Sequence, residues 1–159
     1  DLGISSLDKV AADLAQYRGV EVDFARDMIS LAISKQETIK PTAALIADLK
    51  AAGYKLYVLS NMSLEFIEFL RQNHVYDYFD GEVVSCHEKV VKPEAEIYAR
   101  LESRYNLNPA ETLFIDDRKA NVDAAIARGW GGYHFDAKNP EKSCRELTAM
   151  LITNANTNY

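Results

Sequence analysis

Thr112-Leu113-Phe114-Ile115-Asp116-Asp117 decides how this chain is read. Thr112 to Ile115 has the composition of a buried strand and runs directly into two carboxylates. Adjacent acids repel each other and are hard to explain as packing. A hard divalent cation would neutralise them, and Mg²⁺ binds through one or two carboxylates together with water and phosphate oxygens. Asn121 follows closely enough to reach back and orient the pair. The simpler alternative is that one or both aspartates cap a helix beginning near Lys119.

Outward from this point the chain alternates strands and helices. Upstream, Tyr54 to Leu59 is a β-rich run that stops at Ser60-Asn61, and a helix follows from Ser63 to Arg71. A short strand is expected at Glu82–Ser85, then a loop from Cys86 to Lys92 and a helix from Pro93 to Tyr105. Downstream, Ala120–Arg128 reads as a helix stopped by Gly129, Gly132–Phe135 as a last strand, and Pro140 to about Leu151 as a final helix. Residues before 40 read as helices: Leu7, Val10, Ala11 and Leu14 follow the start signal Ser5-Ser6, and Asp23 is placed to cap a second helix. Pro41 suits the first turn of a third, which stops at Ala52-Gly53. This order implies βαβ units and a Rossmann-like parallel sheet covered on both faces.

In such sheets ligands bind beyond the carboxyl ends of the strands. Three strand ends deliver chemistry: Ser60-Asn61, Lys92 and Asp116-Asp117. A hydroxyl, an amide and turning backbone N–H groups suit an anion, although Ser and Asn also serve as ordinary turn and cap residues. Lys92 just before Pro93 is either a solvated lysine or a cation awaiting an anionic partner. Together the three positions hold the equipment of phosphoryl transfer, which is mostly positioning and charge stabilisation. A nucleophile is not among them.

Composition narrows the classes. The 159 residues are 48% hydrophobic and 26% charged, with 18 Lys+Arg against 24 Asp+Glu and a net charge of −6. That balance argues against a nucleic-acid partner, and no apolar run approaches the roughly 20 residues that cross a bilayer, so no membrane partner is expected. Cys86 and Cys144 lack CxxC spacing, and His74, His87 and His134 lack metal-ligand spacing. This argues against a zinc site and fits a reducing, cytoplasmic setting.

The strand-end motifs resemble those of the haloacid dehalogenase superfamily, and most closely its phosphatase-like members with a small helical cap. Tyr57-Val58-Leu59-Ser60-Asn61 is similar to the family's second motif, Val91-Lys92-Pro93-Glu94 to its third, and Leu113 to Ala125 to its fourth. The resemblance implies that Ser60, Asn61 and Lys92 bind the phosphoryl group, with Ser60 and Lys92 acting in catalysis. It makes Asp117 the direct Mg²⁺ ligand, with Asp116 beside it and Asn121 in support. Residues 1–36 would be part of the cap, residues 37–153 an α/β core lacking its first strand, and residues 154–159 a polar tail. The family's Asp-x-Asp motif, which carries the nucleophile, has no counterpart before Ser60. Asp1-Leu2-Gly3 is only superficially like it, since no apolar strand precedes it.

The expected protein is therefore an Mg²⁺-dependent hydrolase of small phosphorylated metabolites in an N-terminally incomplete form, inactive as this chain alone. Two alternatives remain: a catalytically inactive interaction domain on the same scaffold, or a metal-independent 2-haloacid dehalogenase. A phosphorylation-receiver domain is opposed by motif order, because its acid pair should come early.

Overall fold

Ser6 opens the first helix as its composition suggests: the hydroxyl accepts the Lys9 N–H, satisfying an otherwise orphaned donor. The computed structural model describes residues 6–153. The first five residues of the expected cap, Asp1 among them, and the tail 154–159 lie outside the described residues. Helix α1 (Leu7–Arg18) ends at Gly19, which adopts φ 68°, and α2 (Val22–Ser34) returns against it. Their contact is made of Ala11, Ala15 and Ala25 with Leu14 and Ile29 alongside, small side chains that allow close approach. Asp23 is not the cap of α2; Glu21 holds that position without a side-chain bond, and the Asp23 carboxylate pairs with Arg26 at 2.5 Å. Phe24, Met28 and Leu31 follow one stripe of α2 facing away from Ala25 and Ile29, and all three are exposed.

Helix α3 (Lys40–Ala51) carries Pro41 in its first turn as expected. Strand β1 is Tyr57–Ser60, three residues shorter at its start than the β-rich run. Tyr54 is still tied to the helix end through its N–H to the Leu49 carbonyl. The Leu56 N–H donates to the Asp80 carboxylate, which Lys50 and Lys55 also hold. Lys50 first, and the Leu56 amide next, keep that carboxyl well below the usual carboxylate range.

After α4 (Leu64–Leu70), capped by Ser63, and a 3₁₀ turn at His74–Tyr78, β2 spans Gly81–Val84. Ser85 leaves the strand and starts a single-turn helix, α5 (Ser85–Glu88), where a loop was expected. Helix α6 begins at Ala95 and runs to Tyr105, so Pro93 precedes it rather than opening it. Strand β3 is Leu113–Asp116, followed by α7 (Lys119–Ala127), β4 (Gly131–His134) and α8 (Pro140–Thr148). The chain winds into a π turn at Ala149–Thr153 instead of completing the expected helix.

The class is α/β with parallel strands, as expected, but the sheet is in two pieces: β1 pairs with β2, and β3 with β4. The Leu56 carbonyl accepts from Asp80 on the β2 side. Strand groups alternate in direction, so Tyr57 and Leu59 turn their backbone groups to the opposite edge. On β3, Thr112 and Asp116 carbonyls accept from Gly131 and Phe135 on the β4 side, leaving Leu113 and Ile115 on the other edge. These two edges have no strand partner among the described residues. Ile115, expected inside a fully covered strand, is 36% exposed.

Both pairs are nonetheless covered by the same helices. Leu59, Val83 and Phe114 pack with Ile97, Tyr98 and Leu101 of α6 and with Ala125 and Trp130. On the opposite face Leu56, Leu113, Tyr133 and Phe135 pack with Leu45 and Leu49 of α3 and Cys144 and Leu147 of α8. Tyr98, Phe114 and Trp130 meet edge to face, with ring centroids 5.5–6.1 Å apart. Both cysteines are buried free thiols.

Two side chains fix the frame in ways that can be measured. A Cβ on Gly81 would stand 2.3 Å from the Tyr105 ring, whose hydroxyl is pinned to the Glu82 N–H and carbonyl. Gly81→Ala is expected to cost about 1–3 kcal/mol in urea unfolding, as overpacking does, with an unchanged m-value. Glu102 is held by Arg128 and by the Trp130 indole N–H at 2.6 Å. Arg128, opposed by burial, keeps its carboxyl below the ordinary value. A depressed folded-state pKa gives stability that is present above the unfolded value, about 4.3, and lost as pH falls through the folded one. Glu102→Gln should therefore lose stability less steeply than the native protein between neutral pH and pH ~3, as read by thermal melts across that range.

Candidate active site

The facing ends of β1 and β3 are bridged by Lys92. Its ammonium donates to Asp116 Oδ2 at 2.6 Å and to the Leu59 carbonyl at 2.8 Å. The Lys92 and Asp116 side chains are only 9% and 7% exposed. Lys92 is thus neither a solvated lysine nor at a helix entrance. It also stands 5.4 Å from the centre of the Phe114 ring, a cation–π contact.

Asp116 is fully committed. Its second oxygen, Oδ1, accepts the Arg118 N–H at 2.8 Å and Asn121 Nδ2 at 2.9 Å. Asn121 is 3% exposed and reaches back as its spacing suggested. The Asn121 carbonyl accepts from the Tyr98 hydroxyl. Burial, with the Asp116 charge adding to it, pushes the Tyr98 phenol up to about 12, so it remains a donor. Arg118, not an aspartate, holds the N-cap position of α7, and without a side-chain bond.

Asp117 differs from its neighbour. It is exposed, and its carboxylate has no hydrogen bond or ion pair among the described residues. Its carbonyl accepts from His134 Nε2–H at 3.0 Å. The half-buried Ser60 hydroxyl is also without a hydrogen bond among the described residues. The Asn61 amide, expected to face an anion, joins Lys92 instead: Oδ1 accepts the Lys92 N–H at 2.8 Å and Nδ2 donates to its carbonyl at 3.0 Å.

The donor set is hard oxygen, which suits Mg²⁺. Asp117 offers a free carboxylate, and the described residues contain no cluster of three or more His, Cys, Asp or Glu that could hold a metal. The remaining positions around such an ion would fall to water, phosphate oxygens or a further carboxylate. Sequence reasoning missed Ser85, Tyr98 and His134. His134 ends β4, so the strand-end rule could have found it; Ser85 and Tyr98 act through partners distant in sequence.

The model of the haloacid dehalogenase-like hydrolase family matches residues 4–129. The sesquiterpene phosphatase astK of Aspergillus oryzae is 33% identical over 109 residues, which are 68% of this chain and 55% of that protein. Flavin mononucleotide hydrolase 1 of Arabidopsis thaliana is 26% identical over 108 residues, 68% of this chain and 43% of that one. The chain thus spans about half the length of these curated relatives. A HAD family enzyme from Bacteroides thetaiotaomicron, solved with magnesium and inorganic phosphate, superposes with a TM-score of 0.73 at 24% identity, over 85% of this chain and 72% of that one. The likeness to that structure is one of fold.

Removing one member of a buried ion pair leaves the other uncompensated, typically at a cost of 3–5 kcal/mol. Asp116 keeps two N–H donors, so Lys92→Met is expected to cost about 3 kcal/mol in urea unfolding. Adding Asp116→Asn should recover part of that loss.

Proposed function

Because the chain belongs to the haloacid dehalogenase-like hydrolases, we propose that it forms most of an Mg²⁺-dependent phosphatase for small phosphomonoesters. The observation that carries this is the division between committed and free groups at the strand ends. Lys92 and Asp116 are locked together, while the Ser60 hydroxyl and the Asp117 carboxylate remain available. The phosphatase relatives support the same substrate class.

Lys92 would place its cationic end against phosphoryl oxygens, and Ser60 would donate a hydrogen bond to another. Asp117, with Asp116 behind it, would hold the Mg²⁺, which supplies positive charge against the phosphoryl oxygens. The attacking aspartate, which forms an aspartyl-phosphate and releases the alcohol, would come from a strand lying along the open edges of β1 and β3. That strand is outside the described residues, and this chain alone would be inactive without it. Helices α1 and α2 are taken as part of a cap over the site, with residues 37–153 as the core. Their exposed Phe24, Met28 and Leu31 are available to a neighbouring element or to substrate.

The complete protein is expected to hydrolyse an aryl phosphate with Mg²⁺ and to stop when the metal is chelated. Asp117→Asn should lower kcat/KM by about 10²-fold or more, the scale of removing one preorganised electrostatic group. Failure across a broad phosphate-ester panel would favour an inactive scaffold. Chelator-resistant halide release from a 2-haloacid would favour a dehalogenase.

A further inference from the structure

Lys92 lies in a turn, outside every helix and strand. Its backbone N–H and carbonyl therefore have no ladder or helix to satisfy them, and part-buried backbone groups need partners. Asn61 supplies both, accepting from the Lys92 N–H at 2.8 Å and donating to its carbonyl at 3.0 Å. An amide side chain has the same donor–acceptor pair as a peptide unit, so it replaces the strand neighbour that this turn lacks. The next residue, Pro93, has no N–H to offer.

The other side of the same loop is held as well. Ser85 Oγ accepts the Met62 N–H at 3.1 Å and donates to the Met62 carbonyl at 3.4 Å. Met62 adjoins Asn61, so the segment after β1 is fastened to the segment after β2 on one side and to the Lys92 turn on the other. The Lys92 ammonium then returns to the Leu59 carbonyl, two residues before Asn61. Backbone and side chain of Lys92 are thus both referenced to the end of β1, the ammonium to Leu59 and the backbone to Asn61 just beyond the strand.

From this geometry we infer that Asn61 is a positioning residue that acts through Lys92 and not a ligand of the substrate. Its two-way bond fixes the turn from which the ammonium is aimed, so Ser60 and Lys92 keep a constant separation when an anion enters. The inference rests on the phosphatase reading, in which Lys92 faces the phosphoryl group. The amide retains one N–H beyond the Lys92 carbonyl bond, so direct contact with substrate is the competing role.

A double-mutant cycle separates the two. Wild type, Asn61→Ala, Lys92→Met and the double variant are prepared as the complete protein and checked for fold by circular dichroism. Each is assayed for kcat/KM with an aryl phosphate and Mg²⁺, and for inorganic phosphate binding by calorimetry. Asn61→Ala is expected to lower kcat/KM about 10-fold or more in the native background and less than about twofold once Lys92 is gone. Phosphate binding should follow the same non-additive pattern. If Lys92→Met does not fold, Lys92→Arg takes its corner of the square, and the Asn61→Ala loss should then be at least halved on a logarithmic scale. Equal losses in both backgrounds would overturn the inference while leaving the phosphatase reading intact. A folded Lys92→Met protein with native activity would overturn that reading, and the inference with it.

Discussion

The structure turns on an ion pair almost removed from water. Lys92 and Asp116 meet at 2.6 Å with less than a tenth of either side chain exposed. Burying two charges is costly, and their attraction offsets that cost only when the remaining lone pairs and protons are also satisfied. Here they are. Asp116 takes the Arg118 and Asn121 donors on its other oxygen, and Lys92 gives a second proton to the Leu59 carbonyl. Since β1 and β3 do not pair with each other, this lysine is a polar tie between two halves of a sheet otherwise joined by the helices that cover them.

That tie explains the division of labour between adjacent aspartates. Side chains of consecutive strand residues diverge; Asp116 is still strand, and Asp117 is the first residue beyond it. The first is anchored by a cation and two N–H groups; the second is left in solvent without a partner among the described residues. Its backbone is steadied by His134 from the end of β4. A carboxylate that is free while its support is fixed suits a hard cation, because the donor need not break a bond in order to bind.

Much of this was legible in the sequence, and the rest was not, for definable reasons. Apolar runs ending abruptly in polar residues placed Ser60 and Asp116 at strand ends, and Pro93 marked the loop end that carries Lys92, because period and turn chemistry are local properties. Four-residue spacing brought Asn121 near the acid pair for the same reason. The late start of β1 was hidden because it depends on Asp80, twenty-four residues from the Leu56 amide that it captures. The target of Asn61 was hidden likewise: an amide after a strand suits an anion as well as a turn, and only the fold brings the Lys92 backbone beside it. The Ser85–Glu88 helix violates the loop expectation because its buried hydroxyl is committed to Met62, a contact between two strand ends.

The open edges of β1 and β3 bear on how such a site keeps its shape. Strand partners usually set the spacing of a parallel sheet, yet here Leu59 and Phe114 belong to one cluster with α6, and Leu56 and Leu113 to one with α3 and α8. Because alternate side chains go to opposite faces, each edge strand is gripped from above and below. Two packed layers can therefore hold the strands in register with each other even without a ladder between them, at the cost of exposing Ile115. The strand ends, and with them Ser60 and Asp117, are positioned by apolar packing on both faces and tied across by the buried Lys92 ammonium. A segment entering along those edges would find its hydrogen-bonding partners already oriented by the helices, except the Leu59 carbonyl, which the Lys92 ammonium already holds.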